Sequence, residues 1–528
     1  MQQVVLPATR GTLYDREGNV LAVSVPRADV VADDYLVSAP ATEAAAISPL
    51  LGMGAERLAA ELHQRNGYVV LARQVSSQTE SELAALAEPG ISFVEDDARL
   101  QPGGAVFQPV LGSVNEPDGV VQGDAGIEEA DDALLAGHPG SEVIAESPAG
   151  LQLPSAPSKV KPAQQGDGVV LTLDEPLQVE VTRDVESEMN TSHAQSGIAV
   201  VMAVHSGAIL AMVDLVRTKR GAIIPAGQNL AVTAVYQPGS VMKLATISFA
   251  IQDGLVTPST VLTVPYALGI GGYTFEDAEW HPTERWSVAT ILAQSSNIGT
   301  SEIALRLGPQ RLSAALADLG FGRATGLGWP GESAGLVAPL SGWWASTLPT
   351  MAIGTGEAVT PLQILDAYSA VANGGVSVSP HLVASTIGAG GDEHAVASPP
   401  GRRLLDAATV SALVPMLEGV VEDGTAPCAS IPGYDVAGKT GTAQVPRSGA
   451  LGYLPGDFNA SFVGFVPAQH PELSGIVVLN HPTPIYGGSV AAPVFSEIMG
   501  YALRHFDIPP PPGPVLPQTP GAACASAR

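Results

Sequence analysis

The sequence predicts an α/β (α+β) multidomain protein whose larger part is one sheet, closed by two distant chain segments and covered by helices. Strand-like apolar runs at residues 169–173, 198–204 and 208–213 return only far downstream, at 460–466 and 475–479. A helical and loop-rich stretch from Ser240 to about residue 425 separates the two sets. At 528 residues the chain is also too long for one ordinary core, which suggests two or three domains.

Residues 1–165 are expected to form an N-terminal α+β domain. Its opening run, Arg10-Gly11-Thr12-Leu13-Tyr14-Asp15-Arg16-Glu17-Gly18-Asn19-Val20-Leu21-Ala22, reads as strand, turn, strand. Residues 42–64 and 80–88, rich in Ala, Leu and Glu, read as helices. Gly126-Ile127-Glu128 opens a short helical segment that Gly137 stops. Nothing in this region carries a catalytic pattern, so it reads as a structural module. Residues 153–168, rich in Pro, Ser, Lys and Gln, read as a linker.

Residues 166–508 are expected to form the second domain. The strand at 169–173 is followed by an amphipathic helix at 176–189 and a hairpin turning at Ser206-Gly207. After the helical stretch and the returning strands comes a last helix at 493–505. The proline run and small residues of 509–528 read as a disordered tail.

Composition excludes several classes of function. The formal net charge of −28, without a basic stripe, argues against nucleic acid or an anionic membrane surface as main partner. Ten histidines form no His-Glu-x-x-His or His/Cys cluster, so no metal is expected. No apolar run reaches about 18 residues and no signal peptide opens the chain, which as written reads as soluble.

The chemistry is expected around Gln237-Pro238-Gly239-Ser240-Val241-Met242-Lys243. A helix starting beside Ser240 and ending before Gly254 puts Ser240 and Lys243 on one face, the amine within reach of the hydroxyl. Serine needs an adjacent base, and a lysine walled in by apolar neighbours loses its charge more easily. The helix N-terminus offers the Ser240 N–H to a developing oxyanion. Alone, Ser-x-x-Lys decides nothing, for another stands at Ser158 and Lys161 in the linker.

Two later motifs give it weight. In Ser295-Ser296-Asn297, Ser295 can relay a proton and the Asn297 amide can hold a peptide group. Lys439-Thr440-Gly441-Thr442 reads as an edge strand whose Gly438 and Gly441 allow close backbone approach. A cation flanked by hydroxyls there suits a peptide's terminal carboxylate, and the Thr442 N–H is a second oxyanion donor.

The trio and its surroundings resemble a class B penicillin-binding protein, a peptidoglycan DD-transpeptidase, over nearly the whole chain to about residue 510. The Arg10 to Ala22 run, Gly126-Ile127-Glu128 and Leu171-Thr172-Leu173-Asp174 look like landmarks of that family's extracytoplasmic pedestal, of dimerisation-domain type. Thr360-Pro361-Leu362-Gln363, Asn373-Gly374-Gly375, Ser461-Phe462-Val463-Gly464-Phe465 and Tyr486-Gly487-Gly488 are similar to its transpeptidase domain. Leu71-Ala72-Arg73-Gln74-Val75 looks like the septal, cell-division branch, favoured here over elongation.

The resemblance implies a penicillin-binding transpeptidase/serine β-lactamase-like fold with a central antiparallel sheet. It implies Ser240 as nucleophile, Lys243 as base, and Ser295 and Asn297 as proton relay and substrate holders. Lys439, Thr440, Gly441 and Thr442 would bind the terminal carboxylate of a stem peptide. No cofactor is implied. The implied partners are stem peptides, β-lactams as dead-end mimics, a membrane glycosyltransferase and other division proteins. The implied place is the extracytoplasmic face of a membrane, and the anchor expected before Arg10 is absent. Departures from the family pattern at residues 98–102, 204–207 and 354–357 bear on pedestal contacts more than on chemistry.

A serine β-lactamase shares the trio but needs a base for its deacylating water. Glu472, the one tempting carboxylate near a strand, reads as a surface-turn residue. A non-catalytic β-lactam sensor or division scaffold is the other alternative, and the complete trio argues against it. Cys428 reads as a buried or loop thiol without a role, its pairing with Cys524 disfavoured. Trp280, Trp286, Trp329, Trp343 and Trp344 read as core residues, with a substrate-groove wall as the alternative.

Overall fold

The computed structural model describes residues 2–116, 121–144, 159–447 and 452–511. Its centre is a six-stranded sheet in the order Ile223–Pro225, Ile209–Arg217, Ser196–Ala203, Leu473–Asn480, Tyr453–Val466, Ala437–Pro446. Every pairing in it is antiparallel, and the two chain segments meet where Ser196 to Ala203 pairs with Asn480 to Leu473.

Both faces of this sheet are covered. Ser474 Oγ lies 2.8 Å from Ser369 Oγ on the helix Pro361–Ala372. Its neighbour Gly475 lies against Met499 of the helix Gly487–His505. Successive strand residues point to opposite faces, so these helices flank the sheet on opposite sides. Residues 473–479 are accordingly all buried, and 475–479 read in sequence as an apolar run without alternation. The last helix starts at Gly487, earlier than expected, and carries Pro493 inside it.

The expected linker is not one where it is described. Lys159–Lys161 is a strand paired with Gly140–Ile144, and Gln164 bridges His138. Gly168–Leu171 pairs in parallel with Leu13–Tyr14 and antiparallel with Val383–Ile387. A second six-stranded sheet therefore crosses the boundary drawn at residue 165, and Leu13, Leu21 and Phe107 belong to the same core as the central sheet. Composition suggested a linker because short edge strands can be polar, and pairing partners far along the chain are invisible to local pattern. The decoy Ser158 lies outside the described residues, and Lys161 is exposed.

The N-terminal region has two parts. At its base, Asp15 accepts hydrogen bonds from the Glu17 and Asn19 N–H groups and the Asn19 amide, closing the expected turn between Leu13–Tyr14 and Val20–Val25. Buried Glu128 receives both Arg10 (2.6 Å) and Arg99 (2.7 Å). Farther out, the strands Val69–Val75, Ala28–Ala32 and Ile91–Glu95 pack with three short helices around a separate small core that includes Val30, Ile47, Leu58 and Leu83. The expected helix over 42–64 is two, Pro40–Leu51 and Ala55–Glu61, broken at Gly52.

Other expectations need correction. The stretch after Ser240 is less purely helical than expected, for three antiparallel strand pairs interrupt it: Val261–Val264 with Glu284–Ser287, Ala267–Ile270 with Tyr273–Glu276, and Val383–Ile387 with Glu393–Ala395. Trp329 is buried and Trp286 and Trp343 pack on the core, whereas Trp280 and Trp344 are 76% and 80% exposed. Cys428 is disulfide-bonded. Residues 512–528 of the expected tail, Cys524 among them, lie outside the described residues. No helix among the described residues is long and apolar enough to cross a membrane.

Candidate active site

Ser240 sits in a 3₁₀ turn, Gly239–Met242, that runs into the helix Lys243–Gln252. Side chains three apart eclipse in a 3₁₀ turn, so Ser240 and Lys243 share a side. Gly239 has φ +61°, and a Cβ there would lie 3.0 Å from the Thr442 carbonyl oxygen. Glycine thus lets the turn seat against the edge strand Ala437–Pro446. The turn is braced behind by Tyr368, whose hydroxyl donates to the Val241 carbonyl at 2.8 Å. Gly239 N also donates to the Gly354 carbonyl at 2.9 Å.

Lys243 is fully buried. Its Nζ donates to the Ser295 carbonyl, to Ser295 Oγ at 3.2 Å and to Asn297 Oδ1 at 2.9 Å. Burial brings its pKa down to about 7, with the Asp277 carboxylate pulling the other way. The amine is therefore poised to exchange a proton near neutral pH. Its hydrogen bonds run to Ser295 and Asn297; the Ser240 hydroxyl, half-buried beside it, is not among its partners.

The third motif lies on the edge strand, as expected, with Lys439 to Thr442 paired to Val463 to Ala460. A Cβ on Gly441 would lie 2.3 Å from Ser461 Oγ and 2.7 Å from the Pro238 carbonyl oxygen, so only glycine fits between strand and turn. Thr440 and Thr442, two apart, share a strand face. Thr440 Oγ1 lies 2.7 Å from Thr425 Oγ1, and Thr442 Oγ1 accepts from Gly487 N at 3.2 Å. A residue's N–H and C=O point to the same side of a strand, so the Thr442 N–H faces the Ser240 turn with its carbonyl.

Lys439 is as buried as Lys243. Among the described residues its Nζ finds only long contacts, 3.4 Å to the Thr440 carbonyl and 3.3 Å to Thr440 Oγ1. Burial, and then the charge of Lys243, push its pKa well down. An amine so poorly paired gains from an arriving anion, which would favour its charged form. The structure thus brings together all three motifs that sequence spacing singled out. The decoys fall elsewhere: Ser113 and Asn115 lie on a small exposed hairpin. Glu472 is exposed ahead of its strand. A cavity of about 170 Å³ lined by Arg323, Gln363, Asp366 and Arg402 includes none of the trio.

Asp277 was not singled out in the sequence. It is buried and reaches the Ser295-Ser296-Asn297 turn from the far side. Its neighbours Glu276 and Glu279 make the segment look like a solvated acidic surface, and nothing local marks one of the three as inward. Glu357, also buried, was noted only as part of the departing loop 354–357.

The family described as penicillin binding protein transpeptidase domain matches residues 197–500, and that described as penicillin-binding protein dimerisation domain matches residues 5–171. The chain is 33% identical to penicillin-binding protein PbpB of Mycobacterium tuberculosis, over 97% of this chain and 80% of that one. It is 31% identical to peptidoglycan D,D-transpeptidase FtsI of Escherichia coli, over 97% and 85%. Among solved structures, penicillin binding protein 3 of Mycobacterium tuberculosis complexed with ampicillin superposes with a TM-score of 0.76 at 30% identity, covering 98% of this chain and 99% of that one. A peptidoglycan synthetase of Bifidobacterium adolescentis gives 0.78 at 29% identity, covering 98% and 99%.

Proposed function

Because the chain belongs to the penicillin-binding protein transpeptidase family, we propose that Ser240 is the nucleophile of a serine acyl-enzyme and Lys243 its base. The protein is a peptidoglycan D,D-transpeptidase of the septal branch and a target of β-lactams. The observation that carries the residue roles is the buried Lys243, one 3₁₀ turn from Ser240 and bonded to both Ser295 and Asn297.

Ser240 Oγ attacks the carbonyl of the penultimate D-Ala of a stem peptide as Lys243 takes its proton. The N–H groups of Ser240 and Thr442 receive the oxyanion. Ser295 passes the proton from Lys243 to the leaving D-Ala nitrogen, and Asn297 holds the peptide. Lys439, with Thr440 and Thr442 across Gly441, binds the terminal carboxylate. An amine of a neighbouring stem then attacks the ester, giving its proton back through Lys243, and a cross-link forms. The enzyme would work at the extracytoplasmic membrane face beside a membrane glycosyltransferase and other division proteins.

Labelling with a fluorescent penicillin beside Ser240→Ala tests this. A stable adduct that vanishes in the variant is expected, formed at a rate that rises as pH climbs through about 7, where Lys243 loses its proton. An adduct shed within seconds would make the protein a β-lactamase, and labelling that survives Ser240→Ala would move the nucleophile elsewhere.

A further inference from the structure

The turn that carries Ser295 closes the helix Val288–Ala293, with Ser295 N donating to the Leu292 carbonyl at 3.1 Å and Ser296 N to the Ile291 carbonyl at 2.9 Å, a closure that puts a left-handed residue just past the helix end. Ser295 has φ +58°, a left-handed conformation that serine seldom adopts. In it both its carbonyl and its hydroxyl oxygen face Lys243 Nζ. Asp277 holds this turn from another segment. Its Oδ1 accepts from Asn297 N at 2.5 Å and Ile298 N at 3.0 Å; its Oδ2 accepts from Ser296 Oγ at 2.7 Å. It thereby caps the helix Asn297–Leu307, where free N–H groups favour a negative charge.

The fourth bond to Asp277 comes from His281, whose Nε2 lies 3.0 Å from Oδ2. The other ring nitrogen, Nδ1, lies 2.7 Å from the Pro282 carbonyl oxygen, which can only accept, so Nδ1 carries a proton. Nε2 then faces a carboxylate, also only an acceptor. With both nitrogens set against acceptors, the site favours the imidazolium form. Burial opposes that charge, but Asp277 and the Pro282 carbonyl outweigh it and raise the pKa.

The groups facing this pair come from each packed element. Trp286 lies against the imidazole at 4.6 Å, and Tyr266 meets it edge-on at 6.2 Å. The Tyr266 hydroxyl donates to Glu276, and Glu284 adds negative charge near His281. On the active-site side stands Lys243, whose ammonium form Asp277 favours.

We propose that Asp277, with His281 as its counter-charge, is a positioning residue for acyl transfer: it locks the Ser295-Ser296-Asn297 turn against Lys243 and sets the field in which Lys243 gives and takes its proton. This rests on the reading of Ser240 and Lys243 as the acylating pair.

The test is the second-order rate of fluorescent-penicillin labelling of the full chain as a function of pH. Asp277→Asn should slow acylation by roughly 10- to 100-fold, as misplacement of catalytic groups does. It should also move the acid limb of the profile down by about half to one pH unit, because loss of the anion disfavours the ammonium. His281→Gln keeps a donor for Asp277 but removes the positive charge. Its limb should move the other way, to higher pH.

A merely structural role would change the rates and leave both limbs in place, and unmoved limbs overturn the proposal. Should Asp277→Asn fail to give a cooperative melt, His281→Gln decides alone: a limb that stays put or moves down ends the idea. Labelling of Ser240→Ala would instead strike the reading beneath it, so the two failures are distinguishable.

Discussion

Two walls flank Ser240, and different means hold them in shape. One is the edge strand Ala437–Pro446, whose register is set by a run of backbone pairs to Tyr453–Val466. The other is the turn Ser295-Ser296-Asn297, closed by two backbone bonds to the preceding helix and otherwise held by a handful of side chains, chiefly those of Asp277 and Ser296. A ladder spreads its hold over many equivalent bonds, so most side-chain changes along it are tolerated unless they meet backbone. A turn held by side chains concentrates the hold, so small chemical changes there should tell.

The largest effect is expected where the strand wall touches the nucleophile turn. Gly441→Val places atoms within 2.7 Å of the Pro238 carbonyl and closer still to Ser461 Oγ. Penicillin labelling should fall by about 10³-fold, the scale of losing oxyanion stabilisation together with alignment, while the far-ultraviolet circular dichroism stays native. Labelling within tenfold of wild type would mean that the strand and turn can part without harm.

Ser295→Ala should come next. It removes one of the two side-chain partners of Lys243 but leaves the Asp277 anchor, so acylation should slow by roughly 10²-fold with little change in melting temperature. A large drop in melting temperature would show that the turn is held by Ser295 itself, reversing the comparison.

Ser296→Ala attacks the anchor. The Ser296 hydroxyl donates to Asp277 and accepts from Gly299 N at 2.9 Å, so its loss should cost about 1 kcal/mol of stability, as for other N-caps. Acylation should slow only several-fold, because Asp277 keeps its two backbone bonds. Calorimetry and labelling on the same sample check both parts.

The smallest effect concerns the loop 354–357, whose Gly354 carbonyl accepts from Gly239 N. Glu357 is buried with neither carboxylate oxygen hydrogen-bonded to a side chain or backbone partner among the described residues. Burial raises its pKa well above the ordinary value. The unfolded chain releases this proton first as pH rises, so stability should decline from the ordinary carboxylate range upward. Glu357→Gln should flatten that decline above about pH 5; parallel melting curves in the two proteins would exonerate Glu357.

Much of the strand wall could be read in the sequence. Gly438 and Gly441 around Lys439 announced close backbone approach, and 460–466 and 475–479 announced buried strands. The turn wall could be read only as a motif. Ser295 and Asn297 were visible, but their partner Asp277 sits in a segment whose charges looked like surface, on hairpins too short and polar to stand out. The two misread tryptophans, Trp280 and Trp344, fall in or beside the same kind of irregular excursion, where no period separates inside from outside.

The sequence by itself determined the class of fold and the three motifs of the site, because periodicity, glycine and nucleophile–base spacing are local properties. Only the tertiary structure decided that Lys243 bonds to Ser295 and Asn297 and that the boundary near residue 165 is crossed by a sheet. It alone also showed which of several acidic residues turns inward to hold the turn. Those outcomes depend on which distant segments meet, and burial, the force that shifts pKa values and makes a carboxylate an anchor, exists only once they have met.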